Sequence, residues 1–383
     1  MREFAVTVYL VGFNFLFTIF KCLPLQKKVT FVISFPENAL YIYEQMKHEK
    51  NEFKPVFLCH PRCYDIFKAT GEKAYLFETK NIGHTLKGIF HLASSEKVVV
   101  DNYYGFLSAI NFKKNVKCAQ IWHAAGAIKQ FGILDPSNKN RTLKAVQRFK
   151  QVYEKFDPVV VGSDFMADLY KKAFLTKSSA FLKTGVPRTD FFYQEEKMNR
   201  IRQELIQANP YLKSKKVILY APTFRKDEVT VKSIALDIAK MYEALKDDYV
   251  LILKLHPKVT NETNFSELYP NFVFDYGSYP RVNDLLVLTD VLISDYSSIP
   301  MEFALLKRKM IFYAYDLESY EQASGFWEDY KSTMPGPVVK TTESVIEAIL
   351  NEEVDHQKIQ EFSEKWNSYS KGNASELFVK EFL

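Results

Sequence analysis

From Phe4 to Phe20 the chain carries no charge and is crowded with Phe, Tyr, Leu, Val and Ile, until Pro24 ends the run and Lys27 and Lys28 follow. This pattern predicts an N-terminal hydrophobic helix, somewhat shorter than the about 20 apolar residues a simple span needs. Asn14 and Thr18 interrupt it. A short membrane anchor, an interfacial helix and a buried helix of the first domain all fit. A signal peptide fits less well, because Glu3 offsets Arg2 and no small-x-small cleavage site precedes Pro24. The lysines behind the run place the rest of the chain on the cytoplasmic side of a membrane.

After Lys28 short apolar runs alternate with longer amphipathic stretches. Val29–Ser34, Phe53–Cys59, Val98–Asp101, Cys118–Trp122 and Val159–Gly162 read as strands, and Asn38–His48 as a helix. Ser163 caps another helix that runs to about Phe174. A charged stretch, Gln194–Lys216, separates this half from a second series. There Val217–Ala221, Tyr249–Leu255, Phe272–Asp275, Val291–Ser294 and Met310–Ala314 read as strands. Ser233–Leu245, Val282–Thr289 and Ser298–Leu306 read as helices. Strands alternating with helices imply parallel sheets, and ligands then bind at the carboxyl ends of the strands. The expected architecture is α/β: two doubly wound domains facing one another across a cleft. The boundaries are 1–28 for the N-terminal segment, 29–200 for the first domain and 201–383 for the second.

Length agrees, since 383 residues exceed one ordinary core. A net charge of +5 suits anionic substrates or an anionic membrane face and is too small to argue for nucleic acid. Of the four cysteines, Cys59 and Cys63 flank His60 at a metal-like spacing. No second pair follows, so no metal site is expected. Cys22 and Cys118 complete no disulfide framework, which suggests a reducing compartment.

Four strand ends carry chemistry. In Ala221–Arg225, Thr223 offers a hydroxyl and Arg225 a planar fork suited to phosphate oxygens. In Leu253–Lys258, Pro257 stops the ladder and leaves His256 and Lys258 together at the sheet edge. In Ser294–Glu302, Asp295 and Tyr296 lead into Ser297 and Ser298, which open a helix and could hold an anion, with Glu302 one turn on and able to reach a ribose diol. In Gln120–Lys129, a strand delivers His123 into a small-residue loop followed by Lys129, and a histidine there suits a general base. Each has a plainer reading as a surface arginine, a strand-terminal or core histidine, or an ordinary serine cap. His48, His60, His84, His91 and His356 read as structural. The absence of G-x-G-x-x-G, P-loop and H-E-x-x-H patterns removes dehydrogenase, NTPase and zinc-protease readings.

Taken in order, Trp122–His123, Ala221–Arg225, Leu255–Pro257 and Asp295–Ser298, with Phe312–Asp316, Gly325–Trp327 and Pro335–Pro337, resemble the CDP-glycerol glycerophosphotransferases of wall teichoic acid synthesis. These are enzymes with a GT-B-like fold. The family pattern after Trp-His is Gly-Thr-Pro-Leu-Lys, whereas Ala124–Lys129 stands here. That departure, the chain length and the Ser34–Asn38 run resemble the glycerol-phosphate primase branch. The resemblance implies transfer of glycerol phosphate from CDP-glycerol to an undecaprenyl-diphosphate-linked ManNAc-GlcNAc disaccharide, with release of CMP. It implies His123 as base, and His256, Arg225, Ser297 and Ser298 around the diphosphate. No cofactor or metal is implied, and the enzyme would work as a peripheral protein on the cytoplasmic membrane face. A chain-extending glycerol or ribitol phosphotransferase, a sugar-nucleotide glycosyltransferase and an inactive membrane scaffold are the alternatives.

Overall fold

The computed structural model describes residues 2–177, 180–223, 225, 234–255, 263–351 and 353–383. Its contacts divide the chain into two compact units. The first comprises Met1–Ala125, Phe131–Asp190 and Asn367–Leu383, and the second Gly126–Gln130 and Phe191–Trp366. The division differs from simple consecutive domains. The N-terminal helix belongs to the first unit, the last helix returns to it, and five residues of the loop after His123 belong to the second.

The first unit holds seven parallel strands: β1 (Gln26–Ile33), β2 (Lys54–Cys59), β3 (Lys73–Leu76), β4 (Ser95–Val100), β5 (Lys117–Gln120), β6 (Val159–Val160) and β7 (Phe181–Leu182), in the order β3-β2-β1-β4-β5-β6-β7. The second holds β8 (Lys216–Tyr220), β9 (Tyr249–Leu253), β10 (Val273–Asp275), β11 (Val291–Ser294), β12 (Lys309–Tyr313) and β13 (Val338–Val339), in the order β10-β9-β8-β11-β12-β13. Both are doubly wound sheets whose order reverses once, between β1 and β4 in the first and between β8 and β11 in the second. The expected alternation of strands and helices is thus realised twice. Their strands are near-continuous apolar runs because helices cover both faces of such a sheet. Val29, Phe31 and Ile33 of β1 pack with Ile42 and Met46 of α2 (Pro36–His48), and with Phe378 and Phe382 of the last helix. That helix, Ala374–Phe382, is tied down by Asp190, whose carboxylate accepts the Ala374 and Ser375 N–H groups at 2.8 Å each. This satisfies two amides that no helix residue could. Leu251, Ile293 and Ile311 centre the second core.

The N-terminal run forms α1, Arg2–Lys21, long and apolar enough by length and composition to cross a membrane. It is docked on the first unit along its length. The Glu3 carboxylate pairs with Arg148 at 2.8 and 3.0 Å. Phe13 stacks on Phe106 at 4.9 Å, and Phe17 and Phe20 meet Phe112 and Phe90 edge-on. Phe13 and Phe17 are buried, while Phe4, Val8, Val11, Phe15 and Ile19 are exposed on the other side.

Candidate active site

In the first unit the C-terminal ends of β1, β4 and β5 meet around His123. β5 stops at Gln120, two residues short of the strand the sequence suggests, because Trp122 turns into the left-handed region at φ 52°. For a tryptophan this conformation is strained by about 1–3 kcal/mol and persists only where its surroundings hold it. They do. The Gln120 carboxamide oxygen accepts the Trp122 N–H at 2.9 Å, and the buried Asn38 amide donates to the Ile121 and Trp122 carbonyls at 3.0 and 2.9 Å. The Arg188 guanidinium donates to the His123 carbonyl at 2.8 Å, and the Arg188 N–H in turn donates to Asn38.

This turn presents the His123 ring to the end of β4. Its Nδ1 lies 3.1 Å from the Asp101 carbonyl oxygen. A carbonyl only accepts, so Nδ1 carries the proton and Nε2 holds the free lone pair. Nε2 has no hydrogen-bond partner among the described residues. Burial pushes the His123 pKa down to about 4, aided by Arg188 and Arg62 and opposed by the Asp101 carbonyl and Glu37. The residue as a whole retains some exposed surface. The Asp101 carboxylate accepts the Ser34 and Phe35 N–H groups and the Tyr104 hydroxyl, locking the start of α2 to the end of β4.

The second unit builds its counterpart where the order of its sheet reverses. Asp295, directly after β11, accepts both the Thr223 N–H at 2.8 Å and the Thr223 hydroxyl at 2.7 Å, joining it to the loop after β8. Arg225 grips Asp316 with Nε and Nη2 at 2.9 and 3.0 Å and Asp295 with Nη1 at 2.7 Å. Its guanidinium is surrounded by the rings of Tyr296, Tyr315 and Tyr320 at 4.8–5.3 Å. The fork that the sequence offers to a phosphate is thus occupied by two carboxylates in this structure. The pairing explains why an arginine sits in a loop that is not on the surface.

Ser297 and Ser298 remain partly exposed. Ser297 Oγ accepts the Ile299 N–H at 3.1 Å, while Ser298 makes no capping bond. The helix they open, Ile299–Phe303, tightens into a 3₁₀ turn at Ala304–Leu306, close to the span read from the sequence. Glu302 lies buried at 3% exposure rather than open at the helix surface. His256 and Lys258 lie outside the described residues.

The loop after His123 is small for a reason the sequence did not reveal. A Cβ on Gly126 would meet the Trp366 ring at 2.4 Å, so packing rather than ligand approach demands glycine there. Lys129 then forms a bridge with Phe326 and donates to the Tyr320 hydroxyl at 3.2 Å. Sequence reasoning missed Asp101, Asn38, Phe35 and Asp316. Asp101 and Asp316 are polar residues just beyond strand ends, the signal that found Asp295. Asn38 and Phe35 had no signal beyond the resemblance of the Ser34–Asn38 run.

Two doubly wound units, with carboxylates, a fixed imidazole and hydroxyls at their strand ends, define an α/β protein of the kind that binds its ligands at the carboxyl ends of its strands. The chain matches the model of the CDP-glycerol:poly(glycerophosphate) glycerophosphotransferase family over residues 15–382, and it belongs to that family. It is 38% identical to the teichoic acid glycerol-phosphate primase of Bacillus subtilis (strain 168) over 356 residues, covering 92% of this chain and 90% of that protein. It is 31% identical to the teichoic acid ribitol-phosphate primase of Bacillus spizizenii (strain ATCC 23059 / NRRL B-14472 / W23) over 373 residues, 94% and 93% of the two chains. In fold it resembles the wall teichoic acid polymerase TagF, solved as a variant soaked with CDPG, with TM-score 0.79 and 23% identity over 99% of this chain and 96% of that one.

Proposed function

We propose that the protein transfers glycerol phosphate from CDP-glycerol to the undecaprenyl-diphosphate-linked ManNAc-GlcNAc disaccharide, releasing CMP, and so primes a teichoic acid chain. The observation that carries this reading is the similarity along nearly the whole chain to a glycerol-phosphate primase, joined to an imidazole whose tautomer leaves Nε2 free to accept a proton. An acceptor hydroxyl attacks the glycerol-bearing phosphorus, its proton passes to His123 Nε2, and the bond to the CMP phosphate oxygen breaks with its electron pair leaving on CMP. Positioning and electrostatics do most of such work. Ser297, Ser298, Thr223, Lys129 and, by sequence, His256 and Lys258 are the groups proposed for the donor. Arg225 and Asp295 brace the loops that carry them, and Glu302 supports that site from within.

The acceptor is a lipid, and the exposed side of α1 supports its access. Phe4, Val8, Val11, Phe15 and Ile19 recur at helical spacing, with the exposed Ile82 and Leu86 of the helix docked beside them. A helix attached to a folded unit near both ends and in its middle by Arg148, Phe106 and Phe90 suits lying in the membrane interface, as a peripheral protein on the cytoplasmic side, rather than spanning. The test is a transfer assay with CDP-glycerol and the defined disaccharide lipid. One addition with CMP release is expected. A ladder of products would make the protein a polymerase, and release of UDP from a UDP-sugar would make it a glycosyltransferase.

A further inference from the structure

His123 sits inside a stack. Its ring centroid is 4.3 Å from that of Phe35 with 16° between planes, and 4.4 Å from that of Trp122 with 28° between planes. Two rings cannot share one face of an imidazole at such separations, so Phe35 and Trp122 cover opposite faces. The same exclusion puts the Arg62 guanidinium, 4.1 Å from the Phe35 centroid, on the far side of that ring. Trp122 is backed by Phe131 at 5.1 Å, with Tyr170 and Phe174 at its edges. With Nδ1 committed to Asp101, the Nε2 edge is the approach left to a reacting hydroxyl.

We propose that Phe35 and Trp122 form a π clamp that binds the imidazolium form of His123, stabilising the charge that appears there as the acceptor's proton is taken up. The proposal rests on the reading of His123 as the base. Phe35 and Trp122 are positioning residues in it, acting through His123. Aromatic faces are electron-rich and attract a cation, more strongly where water is excluded. A neutral imidazole stacks on them as well, but without the attraction a cation adds. The stabilisation therefore grows as the proton arrives, which is the differential binding that lowers a barrier. The charged groups facing the ring divide: Arg188 and Arg62 oppose the imidazolium, while Glu37 and the Asp101 carbonyl favour it. The Asp101 carboxylate is engaged with Ser34, Phe35 and Tyr104. The clamp thus works against burial first, and then against the two nearby arginines, all of which disfavour the imidazolium. Strain at Trp122 acquires a purpose as well, because its left-handed turn brings the indole back over the neighbouring imidazole.

The experiment replaces Phe35 with mono-, di- and trifluorophenylalanine in the full chain. Fluorine drains the π face while nearly preserving ring shape, and Phe35→Leu removes the face altogether. Two quantities are read: the His123 titration by NMR of carbon-13-labelled histidine, and the pH profile of kcat in the transfer assay. Stepwise fluorination should lower the His123 midpoint progressively and reduce kcat by about two- to thirtyfold across the series, with KM for CDP-glycerol unchanged. A midpoint that does not move along the fluorinated series overturns the clamp, leaving the rings as packing only. A midpoint that moves while kcat stays constant overturns the base reading instead, since the clamp would then act on a histidine that takes no proton in the reaction.

Discussion

Nη1 of Arg225 lies 2.7 Å from Oδ2 of Asp295, while Nε and Nη2 of the same guanidinium hold Asp316 at 2.9 and 3.0 Å. One side chain thus ties together the loops that leave β8, β11 and β12, with the Arg225 and Asp295 side chains at 8% and 2% exposure. The first unit achieves a similar junction without an arginine: Asp101, beyond β4, accepts the amides of Ser34 and Phe35 beyond β1. In both sheets an aspartate after the fourth strand in chain order bonds the loop after the first, where the order reverses.

Arg225→Ala should therefore cost stability before anything else. It strands a buried carboxylate, and breaking a buried pair from one side costs about 3–5 kcal/mol. Asp316 is a fifth exposed, so water offsets part of its loss. At roughly 2–4 °C per kcal/mol for a domain of this size, thermal denaturation should show Tm lower by roughly 6 °C or more. A variant melting within about 1 °C of the parent would show that the pairing contributes little.

His123→Ala removes the imidazole just beyond β5, whose Nε2 has no hydrogen-bond partner among the described residues. Loss of a positioned general base typically costs about 10²–10⁴-fold in rate, and kcat should fall by that order. Calorimetric binding of CDP-glycerol should stay within about twofold, because in the proposed mechanism the base acts on the acceptor. Full activity in this variant would exclude His123 from the reaction.

The pH profile follows from the same ring. A base works in its neutral form, and burial lowers the His123 pKa to about 4. The neutral form therefore persists well below the ordinary histidine range, so kcat/KM should be level from about pH 7.5 to 5.5 and fall only toward pH 4. An acid limb centred near 6.5 would mean that the ring is hydrated in the working enzyme.

Much of this arrangement is legible in the residues. Unbroken apolar runs such as Val217–Tyr220 and Tyr249–Leu253 announce buried parallel strands, and polar residues just beyond strand ends, Thr223 and Asp295, are brought together by hydrogen bonds. What is not legible depends on long-range partners. Nothing near Arg225 in the chain indicates that Asp316, 91 positions away, will occupy its fork. Gly126 resembles a ligand-facing glycine until Trp366 is seen to cover it. The left-handed turn at Trp122 is imposed by Asn38 and Gln120, against the residue's own preference.

His91, buried in the first unit, bears on stability. His91 Nδ1 faces the Lys28 ammonium at 3.1 Å, so Nδ1 accepts and Nε2 carries the proton, the opposite tautomer to His123. Burial, then Lys28 and Lys73, lower the His91 pKa to about 4. Between about pH 6.5 and 4 the unfolded chain binds a proton there that the folded chain does not. Its contribution is complete above pH 6.5 and is lost as pH falls through that window, by about 3 kcal/mol at most. Urea unfolding at stepped pH should show the decline, and His91→Gln should reduce it by about half, because His123, lowered by burial to about 4 as well, contributes over the same window. An unchanged slope in the variant would place the pH dependence elsewhere.

The outer side of α1 can be separated from its inner side, which makes the membrane reading testable. Deleting the first 23 residues would remove Phe13 and Phe17 from the first unit along with any membrane contact, so loss of vesicle binding by that truncation could reflect a damaged core. Phe15 is 65% exposed and Val11 also 65%, and charge at those two positions leaves the buried face intact. Val11→Asp with Phe15→Asp should keep Tm within about 4 °C, since exposed substitutions usually change stability by about 0.5 kcal/mol or less each and 1 kcal/mol is roughly 2–4 °C here. The same pair should abolish cosedimentation with anionic phospholipid vesicles, because the apolar area proposed to enter the interface now carries two negative charges. Activity on a water-soluble acceptor analogue should persist while activity on the lipid acceptor in vesicles falls. Retained sedimentation by this double variant would move the membrane contact away from α1.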